Sequence, residues 1–311
     1  MGAFSHAIIV WQKEHGRHDL PWQNTTDPYA IWVSEIMLQQ TQVTAVIGYY
    51  AKFMYRFPTI LALADATQEN VLQCWSGLGY YSRARNLHSA AQKVKDDFNG
   101  VFPENFDDIL RLPGIGRSTS AAISTFALNA PQPILDGNVK RVFARHFLLE
   151  GWPGSPAIEK KMWEIAECEN PADDAIAYTQ GLMDLGATIC TRSKPKCNLC
   201  PLNASCIAFA TDKTLTLPTP KPRKILPEKS TSMLIFLHAN EVMLEKRPTK
   251  GIWGGLWSLP ETNDANAQLG LLLSKFTHTF THFKLHIQPQ LIHTSKQNEL
   301  LKPNTIWLSL D

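Results

Sequence analysis

Long apolar runs are missing from this 311-residue chain. No stretch of about 18 apolar residues occurs, which excludes a membrane-spanning helix. Met1 to Glu14 lack the basic segment, apolar core and cleavage site of a secretory signal, so the protein is expected to stay in a reducing compartment. Charge is sparse: only 19% of residues are charged and the net charge is +2, a balance that by itself says little for nucleic acid. Repeats and low-complexity tracts are absent too, which excludes solenoids and biased tails. What is present is a chain 44% hydrophobic and long enough for two domains, each with its own core.

Residues 1–210 read as helical. Apolar positions recur at three- and four-residue spacing in Tyr29–Phe53, Glu69–Phe98, Phe106–Leu112, Ser118–Leu128, Val139–Leu149 and Ala157–Glu167. Pro and Gly pairs punctuate them, as in Pro113-Gly114 and Trp152-Pro153-Gly154. Residues 211–230 hold four prolines and five basic residues without helical period, and are expected to be a linker. From residue 231 the texture changes. Met233–His238 and Val242–Lys246 flank Ala239-Asn240 as a hairpin, and Thr277–Ile287 and Thr305–Leu310 read as further strands. Residues 231–311 should therefore form a small α+β or β-rich domain.

Where charge is scarcest, two carboxylates stand alone. Glu35 is the only charged residue between Asp27 and Lys52. Its helical neighbours three and four residues away are Ile31, Trp32, Leu38 and Gln39, three of them apolar. Poor solvation raises a carboxyl pKa and suits the group to general-acid work near neutral pH; a hydrogen bond or a basic partner from elsewhere is the alternative. Asp136 is the only charge between Arg117 and Lys140 and precedes a basic helical run, so it reads equally as a helix N-cap. A cap position would also fix that carboxylate in space.

Leu112-Pro113-Gly114-Ile115-Gly116-Arg117-Ser118 joins two helical stretches. Its glycines permit a turn whose backbone N–H groups, near a helix N-terminus, suit a phosphate oxygen: a helix-hairpin-helix clamp using Gly114, Gly116 and Ser118. Six cysteines are present, and Cys190, Cys197, Cys200 and Cys206 crowd together at spacings of six, two and five intervening residues. Outside an oxidising compartment such a cluster reads as a metal site, zinc or iron–sulfur. Between Cys190 and Ser230 eight Lys/Arg face two Asp/Glu, a phosphate-facing surface or a solvated linker.

Taken together, these strings resemble the helix-hairpin-helix DNA glycosylases, and within them the MutY-type adenine glycosylases. The carrying motifs are Trp32–Val43, Gly77–Leu87, Leu112–Thr119, Pro133–Val142 and Met183–Cys197, with Gly251–Pro260 towards the C-terminus. The resemblance implies a mainly α helix-hairpin-helix domain (residues 1–210) whose cysteine loop carries a 4Fe–4S cluster of structural role, and a Nudix-like lesion-reading domain (231–311). It implies that Glu35 protonates the departing adenine and handles the water. Asp136, with Asn138 close by, stabilises the cationic sugar. Leu20, Trp22, Gln23 and Gln180 match positions lining the adenine pocket, and Gln40 and Tyr80 match residues that wedge into the base stack. Flipping a base costs a few kcal/mol, which wedging offsets.

Ser118 stands where the endonuclease III type carries a nucleophilic lysine, so a monofunctional glycosylase leaving an abasic site is expected, with Lys140 at most a weak source of Schiff-base chemistry. The charged catalytic helix of Nudix hydrolases is missing between Glu261 and Phe276, so no nucleotide hydrolysis is expected. The lesion-reading loop of the family is matched by Phe280-Thr281-His282. The implied partner is double-stranded DNA with adenine opposite 8-oxoguanine or guanine, met by a bacterial, cytoplasmic, nucleoid-associated monomer. A same-fold enzyme acting on thymine mispairs is opposed by the C-terminal lesion reader. A purely DNA-binding protein would tolerate loss of Glu35 and Asp136.

Overall fold

The computed structural model describes residues 2–222, 225–248, 251–262, 269–294 and 304–311. Contacts divide the chain into two units, Met1–Pro222 and Arg223–Asp311. No helix among the described residues is long and apolar enough to cross a membrane.

The first unit is helical: α1 Ala3–His15, α2 Pro28–Leu38, α3 Val43–Arg56, α4 Ile60–Ala64, α5 Gln68–Trp75, α6 Ser82–Asp97, α7 Phe106–Leu110, α8 Arg117–Leu128, α9 Gly137–His146, α10 Pro156–Glu169, α11 Ala175–Asp184 and α12 Ile207–Ala210. Local chemistry sets many of the starts. Asp27 accepts from Tyr29 N ahead of Pro28 in the first turn of α2; Thr59, Thr67, Asn105 and Asp136 cap α4, α5, α7 and α9. A π-helical turn, Leu185–Ile189, continues α11. One face of α1 packs with α9, α10 and α11 around Ile8, Phe143, Met162, Tyr178, Leu182 and Leu185.

Two continuous helical stretches expected from periodicity are each broken. The run Tyr29–Phe53 splits into α2 and α3 because Gln40 is left-handed (φ 56°); the run Glu69–Phe98 splits into α5 and α6 across Gly77, Gly79 and Tyr80, with φ of 94°, 74° and 48°. Apolar spacing carries through both breaks, so periodicity alone does not reveal them. The proline-rich stretch after residue 211 is in part packed: Leu217 is buried, its carbonyl accepts from Arg145 Nε at 2.9 Å, and Thr219 Oγ1 accepts from Gly151 N at 3.0 Å.

Among its described residues the second unit consists of strands and turns: β1 Glu228–His238, β2 Glu241–Lys246, β3 Trp257–Ser258, β4 Glu261–Thr262, β5 Leu271–Leu272, β6 Phe276–Thr279, β7 Lys284–His293 and β8 Thr305–Ser309. They form one mixed sheet in which β1 and β7 run parallel from Glu228↔Lys284 to Leu237↔His293, and every other pairing is antiparallel. β1 and β2 turn at Ala239-Asn240. Met233, Phe283, Leu285 and Ile287 make its core. The expected strand Thr277–Ile287 is two antiparallel strands, β6 and β7, meeting in a tight turn at Phe280–Phe283. Part of the stretch in which the Nudix helix is missing, residues 263–268, lies outside the described residues.

Candidate active site

A cleft of about 1510 Å³ opens in the helical unit. Glu35, Asp136, Asn138, Leu20, Trp22, Gln23, Gln40, Gln180 and Ser118 all line it. Segments distant in sequence, from α1 to the π turn, thus converge on one space.

Glu35 projects from the last turns of α2, a helix otherwise free of charge and largely buried. Among the described residues no hydrogen bond or ion pair holds its carboxyl. Burial, and secondarily the negative charge of Asp136, push its pKa up to about 8. It is therefore mostly protonated at neutral pH. Asp136 caps α9: Oδ1 accepts from Val139 N at 2.7 Å and Oδ2 from Asn138 Nδ2 at 3.3 Å. Burial raises its pKa as well, but the Val139 and Asn138 amides and the Arg141 guanidinium oppose that. The two carboxyls thus differ in kind. One lacks any stabilising donor; the other has several and sits at the positive end of a helix. When they share one proton, it belongs on Glu35.

Asn138 is itself held, its Oδ1 accepting from Arg141 NH2 at 2.8 Å. Arg141 reaches on to the carbonyls of Gly186 (2.6 Å) and Cys190 (2.7 Å), tying the start of α9 to the π turn and the first cysteine.

Of the other lining residues, Leu20 and Trp22 are buried, Trp22 edge-on to Tyr50 at 5.4 Å. Gln23 Oε1 accepts from Leu20 N at 3.0 Å and its Nε2 donates to Arg17 O at 2.9 Å. Gln180 Nε2 donates to the buried Asp184 at 2.8 Å, and Arg17 pairs with the same carboxylate at 2.6 Å.

Gln40 and the half-exposed Tyr80 sit on separate turns, yet one side chain joins those turns. Buried Arg83 donates through NH1 to the carbonyls of Ile36 (3.0 Å), Met37 (2.7 Å) and Gln39 (2.5 Å). Through NH2 it reaches Thr41 Oγ1 (3.1 Å), Leu78 O (3.4 Å) and Gly79 O (3.3 Å). Its guanidinium also lies 5.4 Å from the Trp75 ring and 5.5 Å from the Tyr80 ring. These bonds satisfy carbonyls that the end of α2 leaves without helical partners.

The hairpin α7–turn–α8 has Gly114 at φ 80°, against Asn86: a Cβ there would fall 2.7 Å from the Asn86 Cβ. Gly116 leaves the first amides of α8 without a side-chain cap. Backbone donors are thus available at that end, as a phosphate requires. The Ser118 hydroxyl does a different job, accepting from Leu135 N at 3.3 Å and so steadying the segment that delivers Asp136. The Lys140 amine is engaged by Glu159 at 2.6 Å.

Cys190, Cys197, Cys200 and Cys206 line one small cavity together with Arg145, and none is in a disulfide. Arg145 NH1 donates to Cys190 Sγ at 3.2 Å and to Thr191 O at 2.8 Å. Burial pushes the Cys197, Cys200 and Cys206 thiols up, Cys200 to about 12. In the second unit Phe280 packs against Phe283 (4.8 Å), Trp253 (5.3 Å) and His278 (4.5 Å), while Thr281 and His282 stand exposed at the tip of the β6–β7 turn.

Sequence reasoning gave no part to Arg17, Arg83, Arg141 or Asp184. A signal existed for Asp184: it is the only charge between Asp174 and Arg192, the same isolation that marks Glu35 and Asp136. Arg83 and Arg141 act mainly through backbone carbonyls, which leave no trace in side-chain pattern.

Residues 33–168 match the family described as the HhH-GPD superfamily of base excision DNA repair proteins, and residues 231–311 match the NUDIX domain. An adenine DNA glycosylase of Buchnera aphidicola subsp. Acyrthosiphon pisum is 42% identical over 321 residues, covering 99% of this chain and 92% of that protein. Among solved structures, a thermostable thymine-DNA glycosylase superposes with a TM-score of 0.59 at 30% identity, over 67% of this chain and 95% of the other. A non-covalent endonuclease III–DNA complex gives 0.56 at 20% identity, over 67% and 94%.

Proposed function

The chain belongs to the adenine DNA glycosylases of the helix-hairpin-helix base excision repair superfamily, and from that premise we propose that it removes adenine paired with 8-oxoguanine or guanine by hydrolysis, using Glu35 and Asp136, and leaves an abasic site. The observation that carries this reading is the contrast between the two carboxyls in one cleft. Glu35, pushed up to about 8, holds a proton at the pH where a departing adenine needs one. Asp136, pinned by Val139 N and Asn138 Nδ2, keeps its position and offers negative charge to a sugar that turns cationic as the bond breaks. Once adenine has left, Glu35 is the anion and can take a proton from the attacking water.

Leu20, Trp22, Gln23 and Gln180 are assigned to the expelled base, Gln40 and Tyr80 to the base stack, and the amides of Gly114, Gly116 and Ser118 to a DNA phosphate. Recognition of 8-oxoguanine is assigned to Phe280, Thr281 and His282: Phe280 anchors the turn, and the two exposed polar residues are its free edge. The donor set of the cysteine loop fits a 4Fe–4S cluster. Four unpaired thiols face one cavity beside a cationic Arg145. When bound, the cluster supplies a rigid cross-link for the basic loop at Arg192, Lys194 and Lys196.

The test is single-turnover adenine release from a duplex bearing adenine opposite 8-oxoguanine, with and without hot alkali. Strand breaks should appear only after alkali, and Glu35→Gln and Asp136→Asn should each slow release by on the order of 100-fold or more. Full activity in both variants, or breaks without alkali, would sink the assignment.

A further inference from the structure

Asp184 ends α11 with its side chain wholly buried. Four donors converge on it: Arg17 N on Oδ2 (2.8 Å), then Arg17 Nε (2.7 Å), Arg17 NH2 (2.6 Å) and Gln180 Nε2 (2.8 Å) on Oδ1. A carboxylate paired with a guanidinium only accepts. The end of the Gln180 amide facing it must therefore be the nitrogen. Turned over, Oε1 would meet Oδ1 at the same separation, two acceptors in a buried place with no proton between them. The i,i+4 spacing keeps both groups on one face of α11.

Gln180 lines the cleft shared with Glu35 and Asp136, and among the described residues its Oε1 and second N–H have no protein partner. Its acceptor and donor are thus presented in fixed order. The major-groove edge of adenine offers the complement, the N6 amine as donor beside N7 as acceptor, and a Gln amide matches it with two bonds. A 6-oxopurine puts an acceptor where that amine would be. Arg17 extends the arrangement, since its carbonyl takes Gln23 Nε2 while Leu20 N occupies Gln23 Oε1. One buried carboxylate is thereby linked to both amides, directly to Gln180 and through Arg17 to Gln23.

We propose that Asp184 is the positioning residue that sets base specificity: it holds the Gln180 amide in a single orientation, so that the cleft accepts a 6-aminopurine and rejects a 6-oxopurine. This rests on the assignment of Gln180 to the expelled base.

The experiment compares single-turnover release of adenine and of hypoxanthine, each opposite 8-oxoguanine in the same duplex, by the full-length wild type and Asp184→Asn. An Asn side chain both donates and accepts, so Gln180 is free to turn. The adenine-to-hypoxanthine rate ratio should fall at least about tenfold. A purely structural role lowers both rates together; an unchanged ratio overturns the proposal. Should Asp184→Asn not fold, the wild type is tested on adenine, unsubstituted purine and hypoxanthine, with each rate divided by that of acid hydrolysis of the same nucleoside. A fixed amide requires that order of decreasing rate, because a missing bond costs less than facing acceptors. Hypoxanthine at or above purine overturns it. Wild type that releases no adenine at all sinks the parent assignment, whereas adenine release with unaltered selectivity in Asp184→Asn sinks only the role of Asp184.

Discussion

Gly186 lies directly against Asn138, so closely that a Cβ on the glycine would fall 2.5 Å from the Asn138 Cβ and 3.0 Å from its Cα. The residue that donates to Asp136 is therefore seated against bare backbone of the π turn. Gly186→Ala must push the start of α9 away and carry Asp136 with it. Single-turnover adenine release should fall about tenfold or more, since small misplacements of a reacting group are costly. Unfolding free energy should drop by about 1–3 kcal/mol. Chemical denaturation and rapid quench on the same preparation check both.

The pKa of Glu35 gives the pH dependence its sign. The protonated form is the acid, so the single-turnover rate should fall as pH rises through about 8, the value to which burial and Asp136 push this group. A profile still rising at pH 9 would exclude Glu35 as the acid.

The same shift has a thermodynamic side. The folded-state pKa lies above the unfolded one, so the contribution of Glu35 is fully favourable below about 4.5 and is lost as pH rises through about 8. Glu35→Gln should therefore be more stable than wild type near pH 9, by an amount on the order of a few kcal/mol, with the gap closing towards pH 4. Paired thermal melts at the two pH values measure it.

Arg83 spans the end of α2 and the Gly77–Tyr80 turn with six acceptors. Arg83→Met removes all six bonds, leaving Gly79 O only its bond from Trp75 Nε1 and Gln39 O only its bond from Thr41 Oγ1, and should cost several kcal/mol, at about 1–3 kcal/mol for each buried acceptor left unsatisfied. Arg83→Lys keeps the charge but not the fork, and should recover only part of that. Urea titrations of the three proteins decide; equal stability of Lys and Arg forms would contradict the geometry.

Ser118→Lys places an amine on the cleft wall. Strand breaks should then appear without alkali, and borohydride should trap a protein–DNA adduct through a Schiff base at the sugar. The substitution also removes the acceptor for Leu135 N, a loss of about 1 kcal/mol in stability. Absence of any adduct would show that position 118 does not reach the sugar.

How far the fold was legible depends on what kind of contact carries each part. The convergence of Glu35 and Asp136 on one cleft was legible in that a lone charge in apolar sequence is one that folding buries, and burial is what raises both pKa values. The hairpin glycines and the cysteine cluster were legible because backbone freedom and ligand chemistry restrict residue type. The break at Gln40 was not, since the apolar period runs on past it and the left-handed residue is not a glycine. Nor was the β6–β7 turn: Phe280 and Phe283 bury their rings against each other, and an apolar residue at a turn reads as strand until that packing is seen. The roles of Arg83 and Arg141 depend on carbonyl oxygens brought together by folding, which no residue type advertises.

The π turn at Leu185–Ile189 fits one residue more into its length than an α-helix would. The wider turn takes up that residue, so Cys190 follows Asp184 with roughly the phase of a regular helix one residue shorter. Closing the same residues into α geometry, at roughly 100° each, would instead carry Cys190 around the helix and away from the other three thiols. In this segment the hydrogen-bond pattern is as constrained as the identity of the residues, because it sets where the first thiol stands.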